Sequence, residues 1–528
     1  MERTTKRTRT DGQATRAEYE HNNSQTAASA GTFAQADAST LANRRMAKAS
    51  STYGSGGVAG RAQRRAAYTR HVGALNASFA SWVESAPGGP TALSGGAREY
   101  LDKLARLEGR YLVERSDVLT FGSGDCGQLA HGVDCDEDML VARPRVVYSL
   151  RAQSVVGIAC GGLHTAVHTS NGEVFTWGCS DDGALGRVGE ENLPAKVAGL
   201  PEAIVGLATG DGQTIAVSDQ GNVWGWGCYK DKEGKAFFDA VAPADCKRVQ
   251  KAPMRVAALS GVVSVACGTS YNACVTSGGR LFTWGIGEIG ELGRPAGLLR
   301  HPTTGEYQRQ TIVSEHLTPK PPLLGAGGTE LSGVVSVGCG AYHLLAIAMP
   351  SPSAAAPVLY TTGLNNYGQL GHGDTENRDR LARVAACDGV TLVSADGGMH
   401  HSLALAADGR VLAFGRADYG QLGLPGAEKA SAGAERPHPS EIPAFADGAN
   451  GVVAISCGSN HNLALNRTGA VFTWGFGDMN ALGHGKDRDE SVPKKIEWKG
   501  IDGGAILAVS GGGQHSGIIC RAVDVGAQ

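Results

Sequence analysis

The sequence predicts an all-β fold, a seven-bladed β-propeller closed by pairing of its N- and C-terminal strands and preceded by a disordered basic tail. Three observations predict it. From residue 118 to 521 one pattern recurs: a β-branched run, a glycine, two variable residues and often a His, then an apolar run, an x-Gly pair and an aromatic-Gly. Glycine supplies 77 of 528 residues while aromatics make up only 6%, which suits many tight turns between short strands. The pattern also opens on its aromatic strand, Val118 to Phe121, and stops after its apolar strand, His515 to Cys520. Elsewhere those two strands are hairpin neighbours, so the chain ends should complete one shared blade.

Residues 1–96 read as a tail. Its first 70 residues hold 12 Lys+Arg against 5 Asp+Glu, with no Trp, Ile or Val before Val58. Too little apolar surface is available to offset the entropy of ordering. The cluster Lys6, Arg7 and Arg9 suits an import signal or a phosphate-binding arm. Residues 97–117 form a linker, where AREYLDKLARLE (Ala97 to Glu108) puts Leu101, Leu104 and Leu107 at helical spacing. The propeller follows over 118–521, and 522–528 is a short C-terminal tail.

Within the propeller, the second glycine of each signature falls at 122, 178, 227, 285, 363, 415 and 475, giving seven units. Their runs alternate apolar with small or polar residues, as half-buried strands require. Asn171-Gly172, Gly278-Gly279 and Asp408-Gly409 mark two-residue hairpins. A small antiparallel sheet on its own leaves edges and a face bare, so radial packing around an axis is the stable arrangement. The fourth unit carries an insertion, about Pro295 to Gly333, with five prolines, expected as a long surface loop.

Composition excludes several classes. No apolar run approaches the ~20 residues that span a bilayer, and the start lacks a secretory apolar core, so a soluble intracellular protein without membrane contact is expected. The 12 cysteines are scattered singly, without C-x-x-C pairs, and Cys160, Cys267, Cys339 and Cys457 recur at one repeat position as buried small hydrophobes. No metal or cofactor site is implied. No nucleophile or carboxylate dyad sits in a catalytic motif, so no covalent chemistry is expected.

One unit breaks the pattern. Six siblings read FGSGDCGQLA, WGCSDDGALG, WGIGEIGELG, TGLNNYGQLG, FGRADYGQLG and WGFGDMNALG, whereas the third reads WGCYKDKEGKAFF from Trp226 to Phe238. A charged, glycine-tipped hairpin with no evident core role replaces its turn. The G-x-x-H-[ST] and [FW]-[TS]-[WF]-G…G-x-L-G marks, over all seven units, resemble the regulator of chromosome condensation family, founded on the nuclear guanine-nucleotide exchange factor for the small GTPase Ran. VLTFGSGDCGQL, CSDDGALGR, GEIGELGR and GRADYGQLGL look like the corresponding founding units in order.

That resemblance implies that Tyr229, Lys230, Asp231, Lys232, Glu233 and Gly234 form a wedge entering the GTPase beside its nucleotide phosphates. It also implies a GTPase-binding rim of Asp125, His164, Asp211, Asp239, Arg294, His400 and His515. Two positions depart, since a family rim aspartate falls at Ser270 and a rim histidine at Gly368. The recurrent His164, His343, His401, His461 and His515 also have a structural reading, a hydrogen bond to a neighbouring blade. Further implications are a nuclear, chromatin-associated protein that binds histones or nucleosomal DNA through tail and loop, with Arg300, Arg309 and Lys320 as loop candidates, and that binds importin through the tail.

The expected function is nucleotide exchange on a Ran-like GTPase, with GDP, GTP and magnesium held by the partner. The alternative is a non-catalytic propeller scaffold for protein–protein interaction. A light receptor like the plant ultraviolet-B propeller would need tryptophans on the rim, and the positions preceding each G-x-x-H residue hold none.

Overall fold

The structure, a computed structural model, describes residues 115–132, 139–238, 247–351, 354, 356–426, 435–446, 451–498 and 506–522. The basic tail with Lys6, Arg7 and Arg9, the helix expected over 97–108, and Asp239 lie outside the described residues.

Among the described residues seven sheets, each built on antiparallel blade strands, stand in sequence around an axis, with a two-stranded hairpin as an eighth. The second blade is representative: Val155–Cys160 innermost, then His164–Thr169, Val174–Gly178 and, at the outer edge, Ala195–Lys196. All seven innermost strands carry a register shift near their start, as at Val155/Gly157 and Ile204/Gly206, and such bulges increase strand twist. Those strands line an axial channel of about 340 Å³. Cys160, Cys267, Cys339 and Cys457 all lie on its wall.

Closure is as expected. Ser116–Ser123 pairs with His515–Arg521 from Ser116↔Arg521 to Gly122↔His515, so the first blade is assembled in the order Leu140–Val146, Ser116–Ser123, His515–Arg521, Ile506–Gly511. The hairpin turns differ from expectation. Thr169 N bonds Glu173 O and Gly172 N bonds Thr169 O, leaving a three-residue loop with positive φ at Gly172 alone. The same pairs recur at Thr276/Arg280 with Gly279 and Ala406/Arg410 with Gly409. A type I turn followed by one left-handed glycine satisfies the strand twist without a second positive φ.

The blades are joined by two rings of hydrogen bonds at one end of the toroid. In the outer ring the G-x-x-H side chain reaches the next blade: His164 Nε2 to Thr214 Oγ1 at 2.9 Å, Gln213 Nε2 to Gly268 O at 3.0 Å, Tyr271 Oη to Gly340 O at 3.1 Å. His343 continues to Ser402 at 2.8 Å, His401 to Asn462 at 2.7 Å, His461 to Ser516 at 2.9 Å and His515 to Thr165 at 2.9 Å. The circuit is complete. Thr165, Thr214, Ser402 and Ser516 donate their own hydroxyl protons to Gln128, Ala184, Gln369 and Ala481 carbonyls, so each must accept from a histidine Nε2–H. Burial drives the pKa of the five imidazoles down to about 3 or 4, keeping them neutral.

The inner ring is backbone only: Gly162→Gly210, Asp211→Thr269, Thr269→Ala341, Ala341→Gly398, Met399→Ser459, Ser459→Gly512 and Gly513→Gly161, at 2.8–3.3 Å. Such rings orient every blade against both neighbours. The face they form is therefore rigid.

The insertion is more than a surface loop. It contains the short helical turns Arg309–Thr311 and Ile312–Leu317 and the hairpin Leu323–Leu324/Thr329–Glu330, which extends the fifth blade's sheet. Leu299, Ile312 and Leu317 are buried in one cluster with Tyr229, Phe237, Phe238 and Trp284. Proline and charge suggested a solvated loop, but three spaced aliphatics were enough to bury it.

Candidate functional site

Each signature glycine pairs with the G-x-x-H residue of its own blade, as in His164↔Gly178 and Gln213↔Gly227. The segment after that glycine therefore leaves from the end of the toroid bearing the hydrogen-bond rings. In the six regular units the next element is the x-L-G turn, and in five of them its leucine carbonyl accepts a strand threonine: Thr120→Leu129, Thr176→Leu185, Thr283→Leu292, Thr361→Leu370 and Thr473→Leu482, all at 2.6–2.8 Å.

The third blade lacks both partners. Gly225 stands at the threonine position, and the Phe238 ring fills the space beside it. After Gly227 the chain forms a separate two-stranded ladder, Tyr229↔Phe237 and Lys230↔Ala236. Asp231 Oδ1 accepts Glu233 N at 3.0 Å and Lys235 N at 2.8 Å, shaping the turn from within. Gly234 completes it at φ 79°.

The root and the tip differ sharply. Tyr229 is 1% exposed, stacks on Phe238 at 5.3 Å and takes the Trp284 indole N–H at 3.2 Å. Asp231 is also buried, receiving the Tyr307 hydroxyl at 2.6 Å. Lys230 bridges to Asp182 at 2.6 Å, and its amide donates to Ser270 Oγ at 3.0 Å. Lys232, Glu233 and Gly234 face solvent. Two expectations need correction. The hairpin does have a core role, through Tyr229, Phe237 and Phe238. The exposed part of the hairpin narrows to Lys230 and the tip, because the Tyr229 ring and the Asp231 carboxylate are spent inside the molecule.

The rim residues divide in the same way. Asp125 is exposed beside the first turn. Asp211 lines the channel mouth, open to water on one side, and the protein packed around it pushes its carboxyl up to about 6 despite Lys230 nearby. His400 is half-buried, its ring 4.9 Å from Tyr367. His164 and His515, by contrast, are 0% exposed and committed to the outer ring, so their imidazoles are not presented on the surface. Arg294 is likewise internal. It donates to Thr283 Oγ1, Thr283 O, Leu292 O, Lys320 O and Glu315 O, all within the molecule. Arg187, at the equivalent place in the second unit, does the same with Thr176 O and Leu193 O.

The departures have local explanations. Ser270 anchors the hairpin amide. Gly368 has φ 75°, and a Cβ there would lie 2.5 Å from Pro437, so this turn admits no histidine.

A further cluster went unforeseen. Arg416 lies 4.9 Å over both the Tyr367 and Tyr419 rings and pairs with Asp418 at 2.7 Å, while Tyr419 meets Phe476 at 4.8 Å. Its signal was the tyrosine before glycine in NNYGQLG and ADYGQLG. Aromatic and arginine side chains of this kind dominate many protein interfaces. Among the described residues no group of His, Cys, Asp and Glu is arranged to hold a metal, and no helix is long and apolar enough to cross a membrane.

Comparison with known proteins agrees with this architecture. Residues 117–518 match the family model described as the RCC1-like domain. The human regulator of chromosome condensation is 32% identical over 414 residues, covering 76% of this chain and 90% of the human protein. The Arabidopsis thaliana ultraviolet-B receptor is 30% identical over 403 residues, covering 75% and 80%. Among solved structures, Saccharomyces cerevisiae Prp20p superposes with a TM-score of 0.67 at 27% identity, covering 79% of this chain and 95% of Prp20p, a protein described with binding properties to Gsp1p and histones. Yeast Prp20 has also been solved with Kap60 bound. The chain belongs to the RCC1-like propeller family.

Proposed function

We propose that the chain is a guanine-nucleotide exchange factor for a Ran-like small GTPase, acting without covalent chemistry. The observation that carries this reading is the third-blade hairpin, which has a rigid apolar root and an exposed polar tip on the face that also bears Asp125 and Asp211. A GTPase holds its nucleotide with backbone N–H groups, a lysine and magnesium, so a tip entering that pocket competes with the phosphates. Binding the emptied GTPase more tightly than the loaded one lowers nucleotide affinity by the same factor, which is linkage. Asp125 and Asp211 supply negative potential to steer a basic partner surface. The relationship to the human regulator and to Prp20p, with its binding to Gsp1p and histones, supports the partner class and a nuclear, chromatin-associated setting. The Kap60 complex supports import through the basic tail. Of the insertion's candidates, Arg300 and Lys320 are ion-paired to Glu233 and Glu315, so Arg309, with the tail, is the group offered to histones or nucleosomal DNA.

The test is release of labelled GDP from a Ran-like GTPase with and without the protein, and with Lys232–Gly234 deleted. Acceleration that depends on the tip supports the reading. Unchanged release with the intact chain would refute it. A second reading, a non-catalytic scaffold, is favoured by Ser270 replacing a rim carboxylate and by the ultraviolet-B receptor's use of the same fold. It predicts partner capture with no effect on GDP release.

A further inference from the structure

The insertion of the fourth unit and the hairpin of the third are joined through side chains that have no role in the ring itself. Tyr307 is the hub. Its hydroxyl donates to Asp231 Oδ2 at 2.6 Å, while the other oxygen of that carboxylate holds the Glu233 and Lys235 amides of the turn. The Tyr307 ring receives Lys235 Nζ 3.3 Å from its centre and the Arg300 guanidinium at 3.9 Å, and it lies 5.7 Å from Phe237. Arg300 also forms an ion pair with Glu233 and donates to the Tyr307 oxygen at 2.5 Å and to Gly305 O at 3.1 Å. Beneath these polar contacts, Leu299, Ile312 and Leu317 pack against Tyr229, Phe237 and Phe238.

The insertion is in turn fixed to the ring. Lys320 and Thr283 exchange backbone hydrogen bonds at 2.9 and 3.1 Å, and Arg294 reaches Glu315 O. A continuous path of contacts thus runs from the fourth blade through the insertion to the hairpin tip.

A two-stranded ladder of two residue pairs is marginal in water, and a mobile element must lose its conformational entropy when it docks. We infer that Arg300 and Tyr307 are positioning residues: the insertion holds the hairpin in its docking geometry before the GTPase arrives. Rate would then come from a tip already aimed, since misplacement of a contacting group by about 1 Å can cost orders of magnitude. The inference rests on the exchange reading for its consequence, although ordering of the hairpin is measurable without any GTPase.

The test uses the full chain and three variants, Tyr307→Phe, Arg300→Ala and the conservative Arg300→Lys. Amide hydrogen exchange over residues 229–237 of the free protein is read first. Tyr307→Phe and Arg300→Ala should each raise exchange at Glu233 and Lys235 by about tenfold or more, with the inner strands unchanged and Arg300→Lys close to the parent. GDP release against protein concentration is read second. Its maximal rate should fall by about five- to tenfold for the first two variants, with half-saturation little altered and recovery in Arg300→Lys. Unaltered amide exchange, or a loss confined to half-saturation, would overturn the inference. Deletion of Lys232–Gly234 keeps the two readings apart. If deletion leaves GDP release unchanged the exchange reading fails, while the hydrogen-exchange result still decides whether the insertion orders the hairpin.

Discussion

The Trp284 indole donates to the phenol oxygen of Tyr229 at 3.2 Å, where Trp177, Trp226 and Trp474 donate to Gln128, Ala184 and Gln421 carbonyls of the preceding blade's turn at 2.7–3.1 Å. Tyr229 therefore replaces the carbonyl that the third blade lost with its x-L-G turn. The hairpin could diverge from its siblings because one side chain restored the seam it broke.

Tyr229→Phe should then act on stability. Both the indole N–H and the space are buried, so removing the acceptor strands a donor at a cost of about 1–3 kcal/mol in chemical denaturation. Trp284→Phe in the same background should be less than additive, because the two side chains share one hydrogen bond. Full additivity in the double-mutant cycle would show that Trp284 does not depend on Tyr229.

The imidazole ring of the toroid predicts a pH response. His164, His401 and His461 are held at about 4 in the fold against an ordinary 6.5, and His343 and His515 at about 3. Between those values the unfolded chain binds more protons than the folded one, so stability rises with pH across that window and is lost on acidification. Each imidazole should contribute on the order of 2 kcal/mol of destabilisation by pH 5. Thermal midpoints should fall steeply from pH 7 to 5. His164→Gln should flatten the slope by one imidazole's share while keeping the seam, since Gln213 already makes the equivalent bond at 3.0 Å.

How much of the molecule is legible in its sequence depends on whether the repeat carries it. Closure and blade number follow from a pattern printed seven times, and the histidine seam follows because a residue recurring in most blades answers to something all blades share. Asp231 is illegible for the opposite reason. Its partner Tyr307 lies 76 residues away in an insertion that no other unit has, so nothing in the local charge pattern reveals that the carboxylate is occupied. Resemblance places Arg294 and His164 outward, although their equivalents in sibling units, Arg187 and His343, already make an internal role the simpler reading. The Tyr367–Arg416–Tyr419 stack is visible only as isolated tyrosines until the toroid brings neighbouring turns together.

Asp211 should show function opposed to stability. A carboxyl raised to about 6 is favoured in its protonated form by the fold, so its contribution to stability is present at low pH and lost as pH rises through 6. Partner attraction needs the ionised form, present above that value. Asp211→Asn should raise the thermal midpoint at pH 8 yet weaken binding to nucleotide-free GTPase, and it should abolish the fall in affinity between pH 7.5 and 5.5 expected of the parent. A variant that binds with the parent's pH profile would remove Asp211 from the interface.

Two glycines of similar backbone sign should respond very differently to alanine. Gly122, at φ 107°, sits where the two ends of the propeller pair, and a Cβ there would lie 2.5 Å from Gln514 O and 2.7 Å from His515 Cα, backbone atoms at the start of the closing strand. Neither can move without opening the Gly122↔His515 pair that ends the closing ladder. Gly234, at φ 79°, has no atom within 4 Å of the same position. Its substitution adds only the strain of a left-handed alanine, about 1–2 kcal/mol at an exposed tip. Gly122→Ala should therefore cost clearly more, about 3 kcal/mol or above, and should speed global unfolding because the ring opens at its closing seam. Gly234→Ala should leave the unfolding rate near the parent's and alter GDP release alone. Equal unfolding rates for the two variants would mean that the closing seam does not limit how fast the toroid comes apart.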